Sequence, residues 1–180
     1  MRGRLVAVVG PSGVGKDTVI AALAARRAGL HAVRRVITRP AGRDAERHEP
    51  VSEAEFARRE AAGEFALAWR AHGLAYAIPR AEIACLAEGG DALANLSRGA
   101  LPAARARFPR LVVLQLTAPP EILATRLADR GRESEAQIAA RLARADQSLP
   151  DGIEAVEIDN SGPVGQAADA ALARLYPVRA

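Results

Sequence analysis

The chain has 180 residues, of which 49% are hydrophobic and 26% charged, enough apolar material for the core of one domain and too much for a disordered chain. Its single cysteine, Cys85, excludes an internal disulfide. The N-terminal apolar run is shorter than the about 7–15 residues of a secretory signal, and no apolar run approaches the roughly 20 residues of a membrane span. We therefore expect a cytoplasmic protein and no membrane partner. The net charge of +4 comes without a compact basic tract or an aromatic-basic platform, so we expect no nucleic-acid partner.

The first elements along the chain are a strand, a glycine-rich loop and a helix. The apolar run 5–9 is rich in β-branched residues and predicts a buried parallel strand. Three glycines and a proline break this run between Gly10 and Gly15. Residues 17–27 carry apolar side chains on one helical face, which predicts a helix immediately after the loop.

The remaining chain alternates between predicted strands and helices, a pattern typical of a parallel α/β sheet with right-handed crossovers. Residues 40–78 depart from this rhythm: a polar loop at 40–50 precedes a helix that opens with a capping box at Ser52 and Glu55. This stretch is interpreted as an insertion over the sheet. The predicted strands are 33–38, 65–69, 74–78, 91–96, 111–116 and 155–158, and the predicted helices are 52–62, 79–88, 101–107, 119–129, 133–147 and 164–175.

The glycine-rich loop has the spacing of a P-loop, GxxxxGK, between a predicted strand and a predicted helix. Glycines let backbone N–H groups converge on phosphate oxygens, and the helix N-terminus adds its positive dipole end. Lys16 is the only lysine among 25 basic residues, as expected where a compact charge must reach the β and γ phosphates. The alternative is a glycine-rich turn without a ligand. The residues predicted to bind ATP here are Gly10, Pro11, Ser12, Gly13, Val14, Gly15, Lys16, Asp17 and Thr18.

The loop departs from the motif at one position. The residue after Lys16 is ordinarily Ser or Thr, whose hydroxyl contacts Mg²⁺, but here it is Asp17, followed by Thr18. A carboxylate beside a triphosphate is repulsive unless a cation lies between them. Asp17 is therefore predicted to bind Mg²⁺, directly or through water, and Thr18 is assigned to the same ion. The alternative is that Asp17 is favoured simply by the helix dipole.

An arginine cluster follows later in the chain. Arg126 and Arg130 lie four residues apart on one predicted helix, and Gly131 permits a turn before a second arginine-rich helix that includes Arg141. A helical hairpin of this kind could close on a triphosphate, neutralise charge and exclude water. The alternative is a solvated face on which these arginines pair with neighbouring carboxylates.

Further motifs accompany the loop and the arginine cluster, and the full set is Gly10–Thr18, Thr38-Arg39-Pro40, Val51-Ser52 before Phe56, Phe65…Gly73…Tyr76 and Arg126…Arg130…Arg141. Together these motifs resemble the guanylate kinase fold family over nearly the whole chain. The resemblance implies a single domain, 1–180, with a P-loop core at 1–39, 79–125 and 145–180, an acceptor-binding insertion at 40–78 and a helical lid at 126–144.

The chain lacks the groups by which guanylate kinases bind guanylate. That family has a glutamate that pairs with guanine at the position of Leu67. Its phosphate-binding tyrosine motif is replaced by residues 47–51, Arg-His-Glu-Pro-Val, and its Gly-Thr by Ala77-Ile78. A site built to hydrogen-bond guanine would lose most of its discrimination without the glutamate.

A second set of motifs is more specific: Gly-Lys-Asp-Thr at 15–18, Ile-Thr-Arg-Pro at 37–40, the segment 65–76 with Trp69, His72 and Gly73, Asn95-Leu-Ser-Arg98, Arg-Gly-Arg-Glu at 130–133, and Asp159-Asn160. In these motifs the chain resembles the ribose 1,5-bisphosphate phosphokinase family of phosphonate metabolism. That resemblance implies transfer of the ATP γ-phosphoryl group to ribose 1,5-bisphosphate, giving 5-phospho-α-D-ribose 1-diphosphate and ADP.

Site residues are assigned on this basis. Lys16, Arg130 and Arg141 are expected to act on the transferring group, Arg126 to bind the nucleotide, and Asn160, by family position, to lie near adenine. A base-free sugar bisphosphate needs cations and hydroxyl partners. The residues expected to bind it are Arg39, Arg43, His72, Tyr76, Ser97 and Arg98.

Two other functions stay open from the sequence. One is a nucleoside monophosphate kinase with altered base choice, which Leu67 disfavours only for guanine. The other is a guanylate-kinase-like binding module without catalysis, which has no need to keep Lys16 and the arginine cluster. A turn role is the alternative for His72, and the sequence leaves open whether the chain forms a homodimer.

Overall fold

The computed structural model describes residues 2–39, 48–129 and 148–177. The strands are β1 (Leu5–Val9), β2 (Leu30–Ala32), β3 (Val36–Ile37), β4 (Glu49–Pro50), β5 (Phe65–Ala71), β6 (Leu74–Pro79), β7 (Asp91–Asn95), β8 (Leu111–Thr117) and β9 (Val156–Asp159). The helices are α1 (Lys16–Arg26), α2 (Glu53–Ala61), α3 (Cys85–Glu88), α4 (Leu101–Arg107), α5 (Pro120–Asp129) and α6 (Val164–Leu175), with 3₁₀ turns at Arg80–Ile83 and Arg98–Ala100.

The larger sheet is five-stranded and parallel, in the order β2-β7-β1-β8-β9. Its central strand β1 is buried along its whole length, as expected for a parallel strand covered on both faces. Val6 and Val8 pack with α1 and α6 in one core, whereas Leu5, Ala7 and Val9 pack with α4 in the other. The two-residue alternation of a strand therefore divides β1 between two hydrophobic cores.

The smaller sheet is mixed, in the order β4-β3-β6-β5. Strands β5 and β6 form a hairpin whose two turn residues, His72 and Gly73, both have positive φ (54° and 75°), the geometry of a tight type I′ turn. The predicted cap of α2 is present, because the Glu55 backbone N–H donates to Ser52 Oγ at 3.1 Å. Phe56 of α2 packs on Phe65 of β5 with ring centroids 4.9 Å apart, which holds the helix against the sheet.

The expected fold class, α/β with a parallel sheet flanked by helices, is confirmed. One predicted strand is wrong in its extent: within the segment 33–38 only Val36–Ile37 is a strand, β3 of the smaller sheet, and the unpredicted β2 precedes the segment in the larger sheet. The chain changes sheets after Val33, whose N–H still donates to Leu93 O, and the buried Arg35 lies in the connection. A continuous strand could not pair with both sheets.

A second prediction is also corrected, and others fall outside the described residues. The predicted helix 79–88 consists of a 3₁₀ turn, Arg80–Ile83, followed by α3, since Pro79 keeps an extended backbone at the end of β6. The predicted helix 133–147 lies outside the described residues, so the division into core, insertion and lid stays a prediction. In the described residues, no helix is long and apolar enough to cross a bilayer.

Candidate active site

The glycine-rich loop connects the buried end of β1 to the first turn of α1. Gly13 and Gly15 have φ of 86° and 90°, a region that L side chains rarely adopt. The Lys16 ammonium donates to Gly10 O and Pro11 O, both at 3.0 Å. The loop therefore curves around its own lysine, and its backbone has the concave form that binds phosphate oxygens.

Close packing also requires glycine in this loop. A Cβ at Gly10 would lie 2.6 Å from Leu116 O of the neighbouring strand β8. A Cβ at Gly15 would lie 2.9 Å from Asn160 Nδ2, which donates to Val14 O at 2.7 Å. The loop is thus fitted against β8 and against Asn160, which follows β9.

Asp17 lies in the first turn of α1, and its carboxylate has a defined partner. Asn95 Nδ2, at the end of β7, donates to Asp17 Oδ1 at 2.8 Å. Carboxylate and hydroxyl oxygens, as on Asp17 and Thr18, are ligands that Mg²⁺ prefers. No cluster of three or more His, Cys, Asp or Glu side chains suited to a metal occurs in the described residues. The residues therefore fit a cation that is held mainly by substrate phosphates and water, as Mg²⁺ commonly is.

A cleft of about 290 Å³ opens beside the loop, between α5 and the start of α6. Arg126 of α5 donates to Asn160 O at 2.8 Å, and Asn160 is only 4% exposed. Asn160 Oδ1 is buried and, within the described residues, has no hydrogen-bond partner. The cleft thus offers a guanidinium and an unused amide oxygen. The residues that line it are Gly13, Gly15, Thr18, Arg126, Asp129, Asn160, Gly162 and Val164.

Two of the expected acceptor residues lie at the same edge of the larger sheet as the loop. Ser97 and Arg98 follow the end of β7, the parallel neighbour of β1, and the carboxyl ends of parallel strands meet at one edge. Burial lowers the pKa of Arg98 from its ordinary value, because the charged guanidinium loses hydration. A partly desolvated cation at this edge is suited to a phosphate group.

Three further expected acceptor residues, Arg39, His72 and Tyr76, lie on or beside the smaller sheet. Arg39 follows Thr38, whose Oγ1 accepts the Ala75 N–H at 2.9 Å. Tyr76 of β6 stacks on Trp69 of β5, with ring centroids 5.4 Å apart and planes 11° from parallel. His72 is exposed at the hairpin turn, which fits the turn role left open for it. The predicted residues Arg43, Arg130 and Arg141 lie outside the described residues.

The structure adds two residues that the sequence did not assign to the site, Arg35 and Asn95. Arg35 is 7% exposed, donates to Asn95 O at 2.8 Å and has its guanidinium carbon 5.4 Å from the centroid of the Tyr76 ring. Asn95 in turn contacts Asp17. Two sequence features could have indicated them: Arg35 is an arginine inside a predicted strand, and Asn95 belongs to one of the motifs.

Comparisons with known proteins agree with this geometry. A family model described as an AAA domain matches residues 6–144. Ribose 1,5-bisphosphate phosphokinase PhnN of Ruegeria sp. (strain TM1040) is 49% identical over 181 residues, which cover 99% of this chain and 95% of that protein. The protein of the same name from Rhizobium etli (strain CIAT 652) is 48% identical over 170 residues, covering 92% and 86%. The crystal structure of guanylate kinase from Anaplasma phagocytophilum has a TM-score of 0.69 at 18% identity and covers 98% of this chain and 87% of its own.

The sheet order, the loop around Lys16 and the guanylate-kinase-like fold define a P-loop kinase, as the sequence predicted. The identity to the Ruegeria and Rhizobium proteins extends over nearly the full length of each chain. The chain therefore belongs to the ribose 1,5-bisphosphate phosphokinase PhnN family. This confirms the more specific of the two resemblances.

Proposed function

We propose that this chain transfers the γ-phosphoryl group of ATP to the 1-phosphate of ribose 1,5-bisphosphate, giving 5-phospho-α-D-ribose 1-diphosphate and ADP. The observation that carries the proposal is the 49% identity, over 99% of this chain, to a protein named ribose 1,5-bisphosphate phosphokinase PhnN. The phosphate loop, which keeps its glycines and Lys16, supports a catalytic role over a binding module that lacks catalysis. The site of action is the cytoplasm, where ATP is plentiful.

The nucleotide side of the proposal rests on the loop and the cleft beside it. The N–H groups of the loop and the Lys16 ammonium bind the ATP phosphates, and Asp17 and Thr18 hold Mg²⁺. Arg126 and Asn160 line the adjoining cleft, so they are assigned to the rest of the nucleotide. When bound, Mg²⁺ neutralises charge on the phosphates. Arg130 and Arg141 stay assigned to the transferring group.

The acceptor side is proposed to bind a sugar bisphosphate without reading a base. Leu67 is 6% exposed and packs in the core with Ile78 and Leu96, so its position offers no polar group to a purine. Tyr76 and Arg98 are assigned to the hydroxyl and phosphate groups of the sugar. The full set assigned to the acceptor is Arg39, Arg43, His72, Tyr76, Ser97 and Arg98.

The chemistry needs positioning and charge compensation more than acid-base catalysis. The nucleophile is an oxygen of a phosphate group that is already ionised at neutral pH, so no side chain has to remove a proton. The protein must hold two polyanions in line and offset their repulsion. Lys16 and the arginines can do this because their charges are fixed before the substrates meet.

A coupled assay of ADP release across acceptors tests the proposal. With Mg²⁺ and ATP, ribose 1,5-bisphosphate should support turnover, whereas GMP and other nucleoside monophosphates should support little. Lys16→Met should abolish turnover with every acceptor, which controls for a contaminating kinase. Strong activity with a nucleoside monophosphate and none with ribose 1,5-bisphosphate would contradict the proposal.

A further inference from the structure

The Asp17 carboxylate is held from a neighbouring strand by a buried amide. Asn95 is the last residue of β7 and is 9% exposed. Its Nδ2 donates to Asp17 Oδ1 at 2.8 Å, the one hydrogen bond to this carboxylate within the described residues. A hydrogen bond to a charged group restricts the orientation of the side chain and is stronger than one between neutral groups.

The backbone of Asn95 is itself held in place. Its register partner on β1 is Val8, and Leu96 N donates to Val8 O at 3.1 Å. The buried Arg35 donates to Asn95 O at 2.8 Å. The amide that contacts Asp17 therefore stands on a rigid element with support on both sides, as expected of a group that positions another.

Compared with the usual P-loop arrangement, the acidic and the neutral polar residue have changed places between position 17 on the loop and position 95 on the neighbouring strand. P-loop proteins generally hold Mg²⁺ with a hydroxyl on the loop, directly after the lysine, and an aspartate elsewhere. Here the carboxylate follows Lys16 on the loop, and the residue that contacts it from the neighbouring strand is a neutral amide. One acid and one neutral polar group are present in both arrangements.

We propose that Asn95 is a positioning residue that orients the Asp17 carboxylate toward the Mg²⁺ of the bound nucleotide. The inference rests on the proposed function in one respect, because it takes ATP to be the bound nucleotide. It does not depend on which acceptor the chain phosphorylates. A neutral amide suits the position for two reasons. It can donate to the carboxylate, and it adds no second negative charge within 2.8 Å of Asp17, where two carboxylates would repel each other.

The test is a double-mutant comparison in the full chain, read as ATP binding by calorimetry with and without Mg²⁺. Asn95→Ala removes the donor, and Asp17→Ser restores the usual loop hydroxyl but leaves no acid. The double variant Asp17→Ser/Asn95→Asp restores the usual arrangement of both. Asp169→Asn, which replaces an exposed carboxylate on α6, is the matched control.

Asn95→Ala should weaken ATP binding in the presence of Mg²⁺ by about tenfold or more, the loss expected for a hydrogen bond to a charged group. Binding without Mg²⁺ should change by less than about twofold, a split that a general loss of structure would not produce. Asp17→Ser/Asn95→Asp should bind ATP with Mg²⁺ at least tenfold more tightly than Asp17→Ser alone, and Asp169→Asn should match the wild type.

Equal loss with and without Mg²⁺ in Asn95→Ala, or no loss at all, would overturn the proposal. A folded double variant that shows no recovery would overturn it as well. If the double variant fails to fold, the Asn95→Ala split alone decides. Because no acceptor is present, these outcomes are independent of the proposed reaction: the Mg²⁺ split can be observed even if ribose 1,5-bisphosphate is not a substrate.

Discussion

Leu67→Glu introduces a carboxylate at the position where guanylate kinases have the glutamate that pairs with guanine. In this structure, the position is not on an open acceptor surface. Leu67 is 6% exposed, pairs with Ile78 of β6 and packs in the same core as Leu96 and Phe108. A glutamate there would lose the burial of a leucine, worth about 2 kcal/mol, and would have to bury a charge or take up a proton.

The combined cost of Leu67→Glu is about 5 kcal/mol, a large share of the 5–15 kcal/mol by which domains are generally stable. Urea unfolding should show this loss in the free energy of unfolding, and coupled assays should show no GMP kinase activity. Leu67→Met, which preserves volume and polarity, should cost less than about 1.5 kcal/mol. A Leu67→Glu protein of unchanged stability that phosphorylates GMP would refute the reasoning.

Three further predictions concern other parts of the molecule. Gly15→Ala should raise the Kd for ATP at least tenfold, since its Cβ would meet Asn160 at 2.9 Å at a φ of 90°; unchanged binding in calorimetry would contradict this. Arg126→Lys should weaken ATP binding by several-fold and leave the KM of the acceptor unchanged, because a lysine cannot keep the forked contact beside the cleft; a shift of the acceptor KM alone would argue against the assignment. Burial alone would raise the pKa of Asp91, but hydrogen bonds from Arg4 and the Tyr176 hydroxyl lower this pKa overall. The ionised carboxylate therefore stabilises the fold above pH 3.8, the ordinary pKa of an aspartate. This stabilisation is lost as the pH falls through the lower pKa that Asp91 has in the folded protein. Asp91→Asn should cost about 3 kcal/mol at neutral pH and flatten the acid side of the stability profile; an unchanged profile would contradict the sign.

The elements around the glycine-rich loop could be predicted because their signals are local. Three signals follow one another directly along the chain: the apolar run of β1, the glycines and Lys16. The apolar run forms a strand, the glycines adopt positive φ, and the helix begins at Lys16. The hairpin at 65–79 was also predictable, since His72-Gly73 separates two strand-like runs. In these cases the information lies within a few residues along the chain.

The contacts that complete the site could not be predicted, because they join distant residues. Asp17 and Asn95 are 78 positions apart, and Arg35 and Asn95 are 60 apart. No periodicity brings such pairs together; the parallel register of β7 beside β1 does. The predicted strand 33–38 was too long for a related reason, since local propensity does not say that the chain passes from the larger sheet to the smaller one between β2 and β3.

The burial of Leu67 depends on sheet register in the same way. Strand β5 has an irregularity between Phe65 and Leu67, which places both Ala66 and Leu67 in the core that contains Leu96. A strict alternation would have put these two neighbours on opposite faces. The sequence showed that the guanine-reading glutamate is missing, and the structure adds that its position is closed by packing.

Identification of the product tests the central claim most directly. The full chain is mixed with Mg²⁺, ATP and ribose 1,5-bisphosphate, and the products are assigned by phosphorus NMR and mass spectrometry, with Lys16→Met as the inactive control. The account predicts equal amounts of ADP and 5-phospho-α-D-ribose 1-diphosphate. Unchanged ribose 1,5-bisphosphate beside a wild-type enzyme that converts GMP to GDP would contradict it.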